Sequence, residues 1–143
     1  MQPTSRIMSI RRVARYLVYS SVVIGLALLL QLYSLVPTWL FYMVLVGWVV
    51  YLVVAIAVAR ERELAYPSAL VMSILTLVVS LPQPEHYSLF AQGLTLAALT
   101  FIVGSAVQGA TIIFVGYYLV LRRREARIQT GRNRPSVGIV NIY

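Results

Sequence analysis

Long apolar stretches, separated by short polar segments, make up most of this chain. A helix that crosses a membrane needs about 20 mostly apolar residues, at about 1.5 Å per residue. Four stretches qualify, of which the third is the shortest, so the pattern predicts an all-α polytopic integral membrane protein with a four-helix transmembrane bundle. The predicted spans are residues 13–35, 37–59, 65–81 and 91–121.

The connections between these stretches carry residues that interrupt membrane helices. Pro37 suits the first turn of a helix, because the amide hydrogen that proline lacks would be unpaired there. The Arg-Glu-Arg-Glu run at 60–63 is too costly to bury in lipid and predicts a turn in water or among headgroups. Pro82 and Pro84 end the third stretch, since the residue before a proline disfavours helical geometry.

The last apolar stretch, residues 88–121, is longer than one bilayer crossing. At about 1.5 Å per residue, it exceeds the roughly 30 Å hydrocarbon core. We predict one tilted helix, with residues 87–92 in the outer interface. A break at Gly104 would instead give two short spans without a polar loop, and would move the C-terminus across the membrane.

Composition agrees with a membrane location. The 143 residues are 60% hydrophobic and 11% charged, with a mean hydropathy of +0.83, whereas soluble domains carry about 25% charged residues. The chain has no cysteine, one histidine and four acidic residues, all glutamate. Disulfides, thiolate metal sites and cysteine nucleophiles are excluded, and carboxylate-rich metal sites nearly so. We expect no cofactor and no bound metal.

The 12 basic residues, all arginine, indicate the orientation. They precede the first stretch, lie between the second and third, and follow the fourth, while the other two connections contain none. An even number of spans places these groups on one side, which the positive-inside rule makes cytoplasmic. We predict a multi-pass protein of the plasma membrane with a cytoplasmic segment, 1–12, and a cytoplasmic tail, 122–143. Arginines expected to contact anionic lipid headgroups are Arg11, Arg12, Arg15, Arg122, Arg123, Arg124 and Arg127.

The arginine-rich tail should begin as a helix, and this helix should end within the tail. Residues 122–127 are predicted to extend the fourth helix into the cytoplasm, until Gly131, Asn133 and Pro135 stop it. For the apolar end, residues 137–143, disorder is the preferred interpretation, and docking on a partner's sheet edge or lying in the membrane interface are the alternatives. No nucleic-acid partner is expected, because no recognition motif or interleaved aromatic residues accompany the charge.

Small residues mark the faces on which helices approach each other in lipid. The third span carries one such row, at helical spacing: Ala69, Ser73, Thr76 and Ser80. The fourth span carries a longer row: Gly93, Ala97, Thr100, Gly104, Gln108 and Thr111. Beside it lies a second row of small residues: Ser105, Gly109 and Gly116. Packing alone is the preferred interpretation of these rows. We predict a close antiparallel hairpin of spans three and four. The alternative to packing alone is that the second row contacts another subunit.

Few polar side chains are candidates for chemistry. Glu85 and His86 form an adjacent acid–histidine pair that suits proton relay or metal binding, but neighbours in sequence rarely face one way on a helix, so a solvated loop is preferred. Gln108 lies deep in a span, where interhelical hydrogen bonding is preferred and pore lining with Thr100 and Thr111 is the alternative. Tyr51 is also deep and needs a polar partner.

Residues 16–59, 65–81 and 88–121 contain no aspartate, glutamate, lysine, arginine or histidine, whereas pumps, proton-coupled carriers and intramembrane hydrolases ordinarily place an ionisable side chain at such depths. The chain resembles the small multidrug transporters in span count and size only, and the glutamate of their first span is missing. We therefore expect a non-enzymatic membrane protein that acts as an assembly or accessory subunit or as a homo-oligomeric component. The alternatives are a small oligomeric channel or transporter lined by the polar, small face of the fourth span, and, last, an enzyme that uses Glu85 and His86.

Overall fold

Only helices and their connections occur in the part of the chain that the computed structural model describes, residues 3–33, 36–62, 64–91, 93 and 95–132. The helices are α1, Pro3–Leu32; α2, Thr38–Ala59; α3, Ala65–Ser80; α4, Pro84–Ala91; and α5, Thr95–Arg132. Within these residues the all-α prediction is confirmed.

Three of the helices are long and apolar enough to cross a membrane. They are the Arg6–Leu32 part of α1, all of α2, and the Thr95–Gln129 part of α5. Helix α3 is apolar but has 16 residues, about 24 Å at 1.5 Å per residue, which is less than the roughly 30 Å of a bilayer core. By length, three of the four predicted spans are supported, and the third is a shorter apolar helix.

The ends of the helices differ from the predicted ranges in two places. Helix α1 extends from the predicted span, which starts near residue 13, back to Pro3, the first described residue, and arginine is a good helix former. The segment after Pro84 is not one tilted helix, and residues 84–91 are a helix rather than a loop. Gly93 separates α4 from α5 with a φ of +74°, a conformation that favours glycine. Gly93 therefore ends α4 and does not belong to the packing row of α5.

Among the four longer helices, α1 and α3 each pack against both α2 and α5. The contact between α1 and α5 is the most extensive, ahead of that between α3 and α5. The predicted hairpin of the third and fourth spans is therefore present, but it is not the largest interface. Helix α4 packs against α5.

Aromatic and polar contacts show which helix ends meet. Near the start of α1, Arg11 contacts Tyr66 at the start of α3, and the ring of Tyr66 lies 4.8 Å from that of Tyr118, toward the end of α5. At the far end of α1, Tyr33 meets Phe41 of α2 with ring centroids 5.4 Å apart. Successive long helices therefore run in opposite directions. The three groups of arginines share one end of the bundle, which we call the arginine end.

The largest cluster of buried side chains lies toward the arginine end and combines alanines with valines and tyrosines. Its members include Ala14 and Val18 of α1, Ala55 of α2, Ala69 of α3 and Val115 of α5. The outer surfaces of the helices are also apolar, with large exposed side chains along their length. Contiguous exposed apolar surface of this kind is typical of proteins that contact a membrane.

Candidate functional site

The first small row of α5, without Gly93, faces the inside of the bundle. Ala97, Gln108 and Thr111 are buried. A Cβ atom added at Gly104 would lie 3.3 Å from Cγ2 of Ile24, so this glycine lets α5 approach α1 closely. We call Ala97, Thr100, Gly104, Gln108 and Thr111 the inner row. Its glycine packs against α1, which is consistent with the extensive contact between these two helices.

One polar pair joins α1 to α5 at the end opposite the arginines. Nε2 of Gln31 donates hydrogen bonds to Oγ1 of Thr100, at 3.1 Å, and to the carbonyl of Ala27, at 3.1 Å. The hydroxyl of Thr100 donates to the carbonyl of Leu96 at 2.8 Å. Gln31 lies in an apolar stretch of the sequence, and a polar side chain in such a stretch needs a hydrogen-bond partner. The sequence does not indicate that this partner is Thr100.

Gln108 is the inner-row residue whose hydrogen bonding is incomplete. The side chain is 8% exposed, and its Oε1 atom is buried without a hydrogen-bond partner among the described residues. The neighbouring Thr111 is satisfied, because its hydroxyl donates to the carbonyl of Val107 at 2.8 Å. The interhelical hydrogen bond expected for Gln108 is thus not made by this oxygen. A buried acceptor of this kind is suited to a water molecule or another hydrogen-bond donor.

Two aromatic donors in α2 are satisfied inside the bundle. The hydroxyl of Tyr51 lies 3.1 Å from Oγ of Ser73 in α3, and this confirms that Tyr51 has a polar partner. Nε1 of Trp48 donates to the carbonyl of Val22 in α1 at 2.9 Å. A Cβ atom added at Gly25 would lie 2.8 Å from Cδ1 of Trp48, so the glycine provides the space for the indole. The sequence did not identify this pair.

The second row of small residues on α5, Ser105, Gly109 and Gly116, is half-buried, and we call it the outer row. A Cβ atom added at Gly109 or Gly116 would have no described atom within 4 Å. Exposed apolar side chains, Ile113 among them, lie on the same helix. The outer row is therefore an apolar surface with room for a close approach by another helix.

A cluster of charged residues connects α1 to the turn after α2. Nη2 of Arg11 lies 3.0 Å from one carboxylate oxygen of Glu61, and Nη2 of Arg15 lies 2.6 Å from the other. Nε of Arg11 also donates to the hydroxyl of Tyr66 at 3.4 Å. We call these four residues the Glu61 cluster. Arg11 and Arg15, which the sequence assigned to lipid headgroups, are engaged by a carboxylate of the protein itself.

The turn after α2 directs Glu61 toward the two arginines. The amide of Arg62 donates to the carbonyl of Ala57, and the amide of Glu61 to that of Val58, both at 3.1 Å. This pattern is a Schellman motif, and Glu61 occupies its left-handed position with a φ of +55°. Hydrogen bonds from Arg15 and then Arg11 lower the pKa of Glu61 from its ordinary value.

The arginines of α5 border an open groove. Arg122 and Arg123 are exposed, and with Pro67, Leu70, Val71 and Leu119 they line a groove of about 390 Å³ between α3 and α5. Arg12, Arg124 and Arg127 are exposed as well. The extension of α5 beyond residue 121 confirms the predicted helical start of the tail, but the helix continues through Gly131 to Arg132, so Gly131 does not stop it. The sequence did not predict the groove, because its two walls come from residues that are far apart in the chain.

The remaining candidates for chemistry are not brought into a site. Glu85 and His86 belong to α4, and their side chains lie outside the described part of the structure. Among the residues that are described, no group of three or more histidine, aspartate or glutamate side chains is placed to hold a metal ion. The predictions for residues 133–143 concern a segment outside the described residues. Comparisons with known protein families, with curated proteins and with solved structures each found no match to this chain.

Proposed function

We propose that this protein is a non-enzymatic multi-pass membrane protein that acts as an assembly or accessory subunit or as a homo-oligomeric component, and that it associates through the outer row of α5. The proposal depends on the open space in front of Gly109 and Gly116. Small residues in membrane helices permit backbones to approach closely. Gly25 and Gly104 have this role inside the chain, whereas packing within the described bundle assigns none to Gly109 and Gly116.

The proposed placement has both termini in the cytoplasm and α3 as a short fourth span. The supporting observation is that the three groups of arginines lie at one end of the bundle, where the positive-inside rule puts the cytoplasm. A span of 16 residues fits a bilayer that thins locally, at a modest cost in free energy. The plasma membrane is the membrane we propose.

Replacement of Gly109 with isoleucine tests the proposed interface. A Cβ atom at this position has no described atom within 4 Å, so we expect the fold to persist while the close approach of a second helix is blocked. Gly47→Ile is the matched control, because Gly47 of α2 also faces open space. In size measurements in mild detergent we expect the wild type and Gly47→Ile to associate and Gly109→Ile to be monomeric. A monomeric wild type, or equal behaviour of the two variants, contradicts self-association through the outer row.

The unpartnered oxygen of Gln108 favours one second candidate, a small channel or transporter lined by the polar, small face of α5. Selective flux of ions or glycerol into liposomes, abolished by Gln108→Leu, would support this candidate over the structural role. Leucine has a similar volume, and removing an unsatisfied buried amide is close to neutral for stability. Gln83→Leu, in the connection before α4, is the control and should retain flux. Under the structural proposal, we expect no selective flux from the wild type.

A further inference from the structure

The groove between α3 and α5 combines apolar walls with two guanidinium groups at its edge. Pro67, Leu70 and Leu119 contribute apolar surface, and Arg122 and Arg123 contribute charge. Its volume of about 390 Å³ is within the range of about 300–1,000 Å³ that is typical of small-molecule sites. A space of this size accommodates part of an amphipathic molecule, while the remainder stays in the surroundings.

The walls of the groove belong to the packed part of the molecule. Leu70 and Leu119 are half-buried and pack against the main core cluster, which includes Tyr66 and Tyr118. Their positions are therefore held by the contact between α3 and α5, and the groove does not depend on a loop. Val71 is 54% exposed, so the groove opens to the side that faces lipid in the proposed placement.

The two arginines of the groove favour a ligand that carries a phosphate, and their position favours the phosphate of a lipid. Arg122 and Arg123 directly follow the apolar part of α5, at the depth where headgroup phosphates lie in the proposed placement. Arginine forks bind phosphate oxygens through paired, charge-assisted hydrogen bonds. The net charge of +8 adds a general preference for anionic over zwitterionic lipids. Free phosphate would use the arginines but leave the apolar walls uncovered.

We propose that this groove is a binding site for one anionic phospholipid, with its phosphate at Arg122 and Arg123 and an acyl chain along Pro67, Leu70 and Leu119. The inference rests on the membrane placement in the proposed function, but not on the outer row. It distinguishes Arg122 and Arg123 from Arg124 and Arg127, which are equally charged and exposed but are not among the residues lining the groove.

Native mass spectrometry of the detergent-solubilised full chain tests the site. The wild type should retain one phosphatidylglycerol in preference to phosphatidylcholine with the same acyl chains. The double variant Arg122→Gln/Arg123→Gln should lose at least about tenfold in affinity, since charge-assisted hydrogen bonds to the phosphate are removed. The matched control Arg124→Gln/Arg127→Gln loses the same charge outside the groove and should bind nearly as the wild type does.

A second variant separates the lipid from its headgroup. Val71→Trp should fill the groove and reduce binding of phosphatidylglycerol while both arginines remain. Equal losses in the two arginine double variants, no preference over phosphatidylcholine, or glycerol phosphate competing as well as the lipid would overturn the proposal. Gly109→Ile should keep the bound lipid even as a monomer, so that a failure of the outer row and a failure of the lipid site give different results.

Discussion

Glycine residues in the apolar helices fall into two groups according to what lies in front of them. Gly25 and Gly104 meet side chains of neighbouring helices, whereas Gly47, Gly109 and Gly116 face open space. In the sequence all five are small residues within an apolar stretch, so spacing alone could not separate contact positions from open ones. The same holds for polar residues: the need of Tyr51 for a partner was predictable, but its pairing with Ser73 was not.

Gly25→Ala should destabilise the bundle although the change adds a single methyl group. The new Cβ would lie 2.8 Å from Cδ1 of Trp48, which must move and stretch its hydrogen bond to Val22. We expect a loss of about 1–3 kcal/mol, as for overpacked cores, measured by thermal or denaturant unfolding in mild detergent. Gly47→Ala is the control and should be neutral or slightly stabilising. An unchanged stability of Gly25→Ala would show that Trp48 does not pack against α1.

At the scale of elements, the presence of the apolar helices was predictable from the sequence, but several of their ends were not. The apolar stretches were sufficient to locate α2 and α3, because the cost of placing polar groups in lipid depends on the local sequence. The sequence did not predict where α1 begins or that α4 is separate from α5. The separation of α4 from α5 depends on one residue, Gly93, which has a positive φ. Glycine adopts positive φ and helical φ about equally readily, so the sequence does not show which of the two it has.

The connection between α1 and the turn after α2 should depend on pH through Glu61. Its pKa is lowered in the folded protein by Arg15 and Arg11, so the stabilisation is complete above the ordinary carboxyl range and is lost as the pH falls through the lowered pKa. Glu61→Gln should therefore unfold at a lower temperature than the wild type at neutral pH, and the difference should vanish in strong acid.

Unfolding in mild detergent from pH 7 to pH 3 measures this convergence. Glu125→Gln removes a carboxylate outside the Glu61 cluster, and we expect it to follow the wild type throughout. A difference between Glu61→Gln and the wild type that persists unchanged at the lowest pH would contradict an ionic role for Glu61.

At the scale of the whole molecule, the arrangement of the helices brings residues together that are distant in the chain. The arginine end joins the start of α1, the turn after α2 and the end of α5. The sequence predicted this grouping from the parity of the spans, and the structure adds that Glu61 engages two of these arginines. The extent of the α1/α5 contact was not predicted, because both α1 and α3 offer small residues to α5.

Labelling of single cysteines should establish the membrane topology, and the absence of native cysteine removes any background. We expect Met8→Cys and Leu64→Cys, at exposed positions of the arginine end, to be protected from an impermeant maleimide in intact cells. Tyr33→Cys and Gln83→Cys, in the opposite connections, should react. Lysed cells give the labelling control at all four positions. Reaction of Leu64→Cys from outside would contradict the proposed orientation.

The sequence by itself determined the helical class, the approximate extent of the apolar segments and the grouping of the arginines. These properties follow from the free energy of transferring each segment into lipid, to which each residue contributes nearly independently of distant residues. Only the tertiary structure decided which glycines are in contact, that Gln31 pairs with Thr100, and that α3 and α5 form the walls of an open groove. Those features depend on how the helices are placed relative to one another. A small residue in an apolar helix can lie in a helix contact or on the outer surface of the bundle, and the local sequence is the same in both cases.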